Sequence, residues 1–482
     1  MHNLKKLANY FLIFCLLGSS VPVYSNNQLP DIGTAAASTL TINQELEYGD
    51  AYMRMLRASK PIVSDPLLNE YVQSLGHSLV ANANDVKTPF HFFLIQDREI
   101  NAFAFFGGYV ALHTGLFLHA KSESELASVV AHEIAHITQR HLARSMEAQA
   151  KRSPVTMAAL VGSLLLAIAA PEAGIAAIQA TTAGAMQSSI NYTRSNEKEA
   201  DRFGIATLAK SGFEVNAMPR FFGRLADQYR YASTPPQMLL THPLPEARIT
   251  DSRERAQQYP EKRVKTSLRY QLARARIVAR YANIESAAAL DSFSRQLKKA
   301  NKTQKVALEY GKALVFIDTG KLEQAKVILD SLLQQSPDNT FYIDAATDLD
   351  LARDKNEQAI KRLETALTQT PNNAVLIINY ANALLEDQQP EKAMKILQRY
   401  THEQKMDPIG WQLLAKAYND QGILDGELAA RAEIFALRAS WNKALQNYTQ
   451  ASQLAELGSL NQARYDARID ELRADRERFT AL

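Results

Sequence analysis

The residues best suited to chemistry in this 482-residue chain lie in one run, Val129-Val130-Ala131-His132-Glu133-Ile134-Ala135-His136. The pattern is H-E-x-x-H inside an apolar, helix-forming stretch. Positions four apart share one face of an α-helix, so His132 and His136 can offer two imidazoles to a single metal ion. Glu133 stands beside them, where a carboxylate can take a proton from a water activated by that ion. The competing interpretation is a chance helix with two exposed histidines. The apolar flanks weigh against it, because a buried helix must satisfy its polar groups. The pattern points to a zinc peptidase.

A catalytic zinc typically takes three protein ligands and a water, and two histidines with a glutamate are a known set. The third ligand must come from elsewhere in the chain. The stretch Ser195-Asn-Glu197-Lys-Glu199-Ala-Asp201-Arg202 opens another helix, on which Glu197 and Asp201 share a face. Taken alone, these carboxylates read as an ordinary acidic helix start. His242 stands in Thr241-His-Pro243-Leu-Pro245-Glu-Ala-Arg248, a loop whose prolines restrict its shape. Taken alone, it reads as a loop histidine bonded to backbone.

Several elements must position these groups. Ser122 is suited to cap the motif helix, with Glu125 completing a capping box. Upstream, Gly107-Gly108 signals a turn and Tyr109 to His113 a strand. That strand is either an edge that pairs with an extended substrate or an interior strand of a small sheet. Phe90 to Gln96 reads as a further strand. Asn43 to Ala58 and Pro66 to Asn84 read as helices, the second capped by Asp65. Downstream of the motif, Met157 to Ala170 and Ala173 to Met186 are strongly apolar. Each falls short of the roughly 20 residues of a membrane span. The segment 157–186 is expected to be buried or to make peripheral contact with a membrane surface.

Composition is that of a globular protein, 46% hydrophobic and 22% charged, and the net charge of +3 gives no ground for a nucleic-acid partner. The N-terminus resembles an export signal. Lys5 and Lys6 precede an apolar core, Leu7 to Leu17, and Val23 and Ser25 suit cleavage before Asn26. Residues 1–25 are therefore expected to be a signal peptide, with an uncleaved anchor as the alternative. The single cysteine, Cys15, lies inside it. Its removal would leave no thiol for disulfides, Cys-based zinc sites or Cys nucleophiles.

From about Leu268 a repeat emerges. Ala325, Ala359 and Ala393 recur every 34 residues in Glu-(Gln/Lys)-Ala contexts, and Ala429 and Ala463 keep the same interval. With Tyr310-Gly311, Gly320, Pro337 and Pro371, this matches the tetratricopeptide repeat. Such helix pairs stack to bury their faces and form a protein-binding surface. Tyr342, Tyr380, Trp411 and Trp441 are expected within the repeat cores.

The motifs together resemble a known family. Asn101-Ala-Phe-Ala104 and Gly107-Gly-Tyr109 precede His132-Glu-Ile-Ala-His136. Glu197-x-x-Ala200-Asp201 follows about sixty residues on, and Thr241-His-Pro243 later. In this order, residues 43–248 resemble the peptidase family of the CAAX prenyl endopeptidase and HtpX. The resemblance implies an α+β zincin-type (gluzincin) peptidase domain over 26–265, mostly helical with a small sheet. An all-α tetratricopeptide-repeat solenoid would follow over 266–482. It implies one Zn²⁺ per chain, held by His132, His136 and Glu197, with Glu133 as general base. Asp201 matches an aspartate that is either a proton donor or the support behind a ligand histidine. His242 would be a fourth zinc ligand at rest, or an oxyanion stabiliser together with Arg248. Unlike the integral-membrane relatives, the chain lacks several clear spans, so intramembrane substrate access does not carry over.

The export signal and repeats narrow the resemblance to periplasmic members that are both protease and chaperone. Their expected partners are unfolded or stalled outer-membrane proteins and, through the repeats, the outer-membrane assembly machinery. The other function class is a non-catalytic, zinc-stabilised repeat scaffold. Glu133 argues for the enzyme, because a structural zinc site needs no base.

Overall fold

The computed structural model describes residues 40–152, 194–230 and 236–481. The expected signal peptide, 1–25, and the apolar segment 157–186 lie outside the described residues. Among those described, no helix is long and apolar enough to cross a membrane.

The first helices among the described residues are α1 (Ile42–Ser59) and α2 (Pro66–Val80). Thr41 and Gln44 form a reciprocal capping box on α1. Asp65 caps α2 by accepting the Leu68 N–H at 3.1 Å, with Pro66 at the first helical position. Three short strands follow, β1 (His91–Ile95), β2 (Ala102–Phe105) and β3 (Tyr109–His113). Their order in the sheet is β1-β3-β2. β3 pairs parallel with β1 (Phe93 opposite Ala111) and antiparallel with β2 (Phe103 opposite Ala111). Of the two expectations for Tyr109 to His113, the interior strand is therefore the correct one. Val110, Ala111 and Leu112 are fully buried, so this backbone offers no edge to a substrate. The turn before β3 needs its glycines. Gly108 has φ +81°, and a Cβ there would lie 1.7 Å from the Pro89 carbonyl oxygen.

The short helix α3 (Gly115–His119) leads into α4 (Glu123–Thr138), which carries the H-E-x-x-H motif. Next come α5 (His141–Arg152), α6 (Arg194–Lys210), α7 (Ala217–Tyr229), α8 (Gln237–Thr241) and α9 (Glu246–Ala256). After α10 (Leu268–Arg276) and α11 (Ser286–Leu297) the chain settles into helix pairs. These are α12 (Lys302–Asp318) with α13 (Leu322–Gln335), and α14 (Thr340–Ala352) with α15 (Asn356–Gln369). Then come α16 (Ala374–Glu386) with α17 (Pro390–Glu403), and α18 (Pro408–Asp420) with α19 (Leu424–Ala436). The last pair is α20 (Trp441–Leu454) with α21 (Leu460–Ala481).

The repeated alanines all fall on the second helix of a pair. Ala325, Ala359, Ala393 and Ala429 are buried where that helix meets its partner, and Ala463 on α21 is exposed. A small residue at this position lets two helices approach closely. Tyr342 and Trp441 are buried as expected. Tyr380 and Trp411 are only half-buried, their polar ends bonded to Glu364 and to the Lys405 carbonyl.

The repeats fold back against the helices that precede them. One hydrophobic core runs without interruption from Val63 through α4 to Val375. Arg276 is buried beside this core and donates to Asp65, the cap of α2, and to Asp344 of α14, both at 2.6 Å. The last repeats meet α1. Arg54 donates to the Ala436 carbonyl at 2.7 Å and lies over the Trp441 ring, while Ala51 packs into the cluster of Ala432, Ala444 and Phe479. Helices α1 and α2 therefore contact both early and late repeats, and the array curls round one side of the N-terminal part.

Burial pushes the Asp65 carboxyl up, but the Arg276 guanidinium outweighs this and holds it below the usual carboxylate range. Its contribution to stability is thus present above the unfolded-state pKa and lost as pH falls through the folded one. Replacing Arg276 by Met leaves two buried carboxylates uncompensated. Urea denaturation at neutral pH is expected to show a loss of about 3–5 kcal/mol. A loss below about 1 kcal/mol would show that the junction does not depend on this ion pair.

Candidate metal centre

Helix α4 is buried along nearly its whole length. Leu126, Ala127, Val129, Val130, Ala131 and Ile134 are at most 1% exposed, packed by α2, α6, α7 and β2. Its start is fixed by Ser122, whose hydroxyl accepts the Glu125 N–H at 3.3 Å. The return bond of the expected capping box is shifted by one residue, with the Glu125 carboxylate accepting the Lys121 N–H at 2.7 Å. His132, Glu133 and His136 are 1%, 0% and 2% exposed. Groups this polar cannot be left uncompensated in such surroundings.

Compensation comes first from α6. Gly204 allows the close approach, since a Cβ there would lie 3.3 Å from the His132 backbone nitrogen. One and two turns earlier on the same face stand Asp201 and Glu197, both buried. Glu197 lies 3.4 Å from His132 Nε2 and 3.5 Å from His136 Nε2, and these two nitrogens are 3.0 Å apart. His242, at the end of α8, brings its Nδ1 to 3.1 Å from Glu197 and 3.4 Å from His132 Nε2. The four residues each offer one ligand atom, all within 4.8 Å of one another. A tetrahedral ion with ligands at 2.0–2.1 Å would need edges of about 3.3 Å. The spacings and the donor set of three imidazoles and a carboxylate fit a cation of that kind.

Glu133 faces the same space. Neither of its carboxyl oxygens has a hydrogen-bond partner among the described residues, and His242 Nε2 lies 3.5 Å away. Arg248, on α9, is buried behind the cluster. It grips Asp201 with two donors at 2.6 and 2.9 Å, reaches Glu197 at 2.6 Å and the Pro243 carbonyl at 3.0 Å, and lies over the Phe222 ring. Asp201 in turn lies 3.0 Å from His132 Nδ1. Every residue expected at the site is therefore gathered in one place. Arg248 directs its donors at carboxylates and a carbonyl rather than at the space before Glu133.

Two residues near the site escaped sequence reasoning. His141 is fully buried, with Nδ1 2.9 Å from His136 Nδ1 and Nε2 3.1 Å from the Glu199 carboxylate. Arg144 also donates to Glu199, at 2.8 Å. The signal was a third histidine five residues after His136. It is brought under His136 by a turn at Arg140, whose φ is +51°. Arg140 is locked there by Glu45 at 2.7 Å and the Leu40 carbonyl at 2.6 Å.

The electrostatics follow from burial and neighbours. Burial lowers His136 well below the usual imidazole range, and lowers His141 to about 4, so both are neutral at pH 7. Burial also disfavours charge on His132, but Asp201 and Glu197 override it and lift that group to about 9. Glu197 and Asp201 would be raised by burial, yet His242 and Arg248 hold the first, and Arg248 and His132 the second, below the ordinary range. Glu197 and Asp201 therefore stay ionised in the interior, balanced by the Arg248 guanidinium and the raised His132.

The sequence profile of Peptidase family M48 matches residues 66–256, and that of the tetratricopeptide repeat matches residues 350–417. Over 474 residues the chain is 65% identical to a Vibrio cholerae protein assigned as a beta-barrel assembly-enhancing protease, covering 98% of each. It is 48% identical over 477 residues to the beta-barrel assembly-enhancing protease of Escherichia coli K12, again covering 98% of each. A more distant relative is the E. coli metalloprotease LoiP, 24% identical over 33% of this chain and 62% of LoiP. A buried histidine–carboxylate cluster within the M48-matched segment, joined to tetratricopeptide repeats and matched end to end, makes this chain a metalloprotease of the beta-barrel assembly-enhancing protease family.

Proposed function

We propose that this chain is a periplasmic zinc metalloendopeptidase and chaperone that promotes maturation of outer-membrane proteins and degrades misassembled ones. The observation that carries the chemistry is the buried group of His132, His136, Glu197 and His242, with the Glu133 carboxyl aimed into the same space. The relatives' name, beta-barrel assembly-enhancing protease, carries the biological context. In this reading residues 1–25 are removed on export. A peptidase unit, 26–265, then works with a repeat unit, 266–482. The repeats would bind outer-membrane protein clients and the assembly machinery, and 157–186 would touch a membrane surface.

His132, His136 and Glu197 would hold the zinc. When bound, zinc supplies Lewis acidity, polarising a peptide carbonyl and bringing the pKa of a water to about 7. Glu133 takes the proton from the attacking water and passes it to the leaving amine nitrogen, so that one C–N bond is exchanged for a C–O bond. Asp201, with both oxygens engaged by Arg248, suits the orienting of His132 better than proton donation. His242 closes the fourth corner and also faces the base. We read this as a resting enzyme, in which substrate must displace the 242–245 loop before the carbonyl can enter.

Two outcomes test these roles. Glu133→Gln should retain stoichiometric zinc and the wild-type melting temperature while cleavage of casein or a denatured client falls by on the order of 10²–10⁴-fold. Wild-type cleavage by that variant would refute the assignment. His242→Ala should raise basal cleavage by several-fold, roughly the release of a one-kcal/mol block. An unchanged or lower rate would instead make His242 a catalytic or purely structural group.

A further inference from the structure

The geometry behind His136 determines which of its nitrogens presents a lone pair to a metal. A carboxylate accepts hydrogen bonds and donates none, so the Glu199 oxygen 3.1 Å from His141 Nε2 holds the N–H of His141 on that atom. A neutral imidazole carries a single N–H, which leaves a lone pair at His141 Nδ1. That lone pair lies 2.9 Å from His136 Nδ1, so the hydrogen between the two rings belongs to His136. The remaining nitrogen of His136, Nε2, must then present a lone pair. It faces His132 Nε2 at 3.0 Å and Glu197 at 3.5 Å, inside the four-residue cluster.

The rings cross at 76° with centroids 4.9 Å apart, so His141 also limits rotation of His136 about its side chain. His132 receives the same service more directly, from Asp201 at Nδ1. Asp201 shares α6 with Glu199, so one helix controls both ligand histidines, one through a carboxylate and the other through an intervening imidazole.

We propose that His141, backed by Glu199, is a positioning residue that fixes the tautomer and ring orientation of His136 for metal binding. The inference rests on the reading of His136 as a zinc ligand. Partners behind ligand histidines typically contribute 10–100-fold to metal affinity, and an effect on the order of 10–100-fold is expected here. His141→Leu keeps the buried volume and removes the acceptor. His141→Asn places an acceptor oxygen near the position of Nδ1.

The test uses the full-length protein and zinc itself, with affinity measured by competition against a chromophoric chelator. Melting temperatures are recorded with zinc and with excess EDTA. His141→Leu should lose on the order of 10–100-fold in zinc affinity, and its zinc-dependent rise in melting temperature should shrink accordingly. Its melting temperature in EDTA should stay close to wild type. His141→Asn should recover most of the affinity, and Glu199→Gln should lose a few-fold, which keeps the test open if the leucine variant fails to fold. Equal zinc affinity of His141→Leu and wild type would overturn the proposal. So would a variant whose whole defect appears in EDTA, or an asparagine variant no better than leucine. If His136→Ala binds zinc as tightly as wild type, the ligand assignment itself fails and this inference falls with it.

Discussion

The structure depends on one constraint: helix α4 is buried on nearly all sides yet carries His132, Glu133 and His136. An apolar helix in that place would need only close packing. This one needs neighbours that compensate its polar groups, because leaving such groups unpaired in a low-dielectric interior costs several kcal/mol each. The elements around it divide that task. Helix α6 supplies Glu197, Asp201 and Glu199, the end of α8 supplies His242, and α9 supplies Arg248. Gly204 is what lets α6 come near enough to do so.

The cluster is organised in layers of charge. Imidazoles and Glu197 face the inner space, and Asp201 and His141 stand behind His132 and His136. Arg248 and Arg144 then hold the carboxylates in place. In this ordering the Arg248 guanidinium is shared between two acids, Asp201 and Glu197. Removing it would set Asp201 and Glu197 against each other in the interior. Glu133 is conspicuous as the one carboxyl group of the cluster without a hydrogen bond among the described residues.

The same principle, a buried arginine between carboxylates, recurs where the peptidase part meets the repeats. Arg276 joins Asp65 and Asp344 across a continuous hydrophobic core. Because α1 is also gripped by the last repeats through Arg54, the repeat array is not a freely swinging arm. Helix α1 has a second attachment, through Glu45, to Arg140 at the end of the motif helix. The repeats and the histidine–carboxylate cluster are thus joined by packed, ion-paired helices rather than by a flexible linker.

The sequence alone determined the features that follow from local pattern. Residues four apart on a helix share a face, so His132, His136, Glu197 and Asp201 were legible as two pairs. A 34-residue period was legible as stacked helix pairs, and the strands and caps around Gly107-Gly108, Asp65 and Ser122 followed from turn and capping chemistry. Tertiary structure alone decided what depends on distance across the fold. Whether Tyr109 to His113 was an edge or a centre rested on a crossover connection that places β3 between β1 and β2. Whether His242 was a loop residue or the fourth corner of a cluster rested on how α8 docks against α4 and α6. His141 was hidden because its role depends on a left-handed residue at Arg140, which a sequence pattern does not announce for arginine. Periodicity tells which side chains share a face, and only packing tells which faces meet.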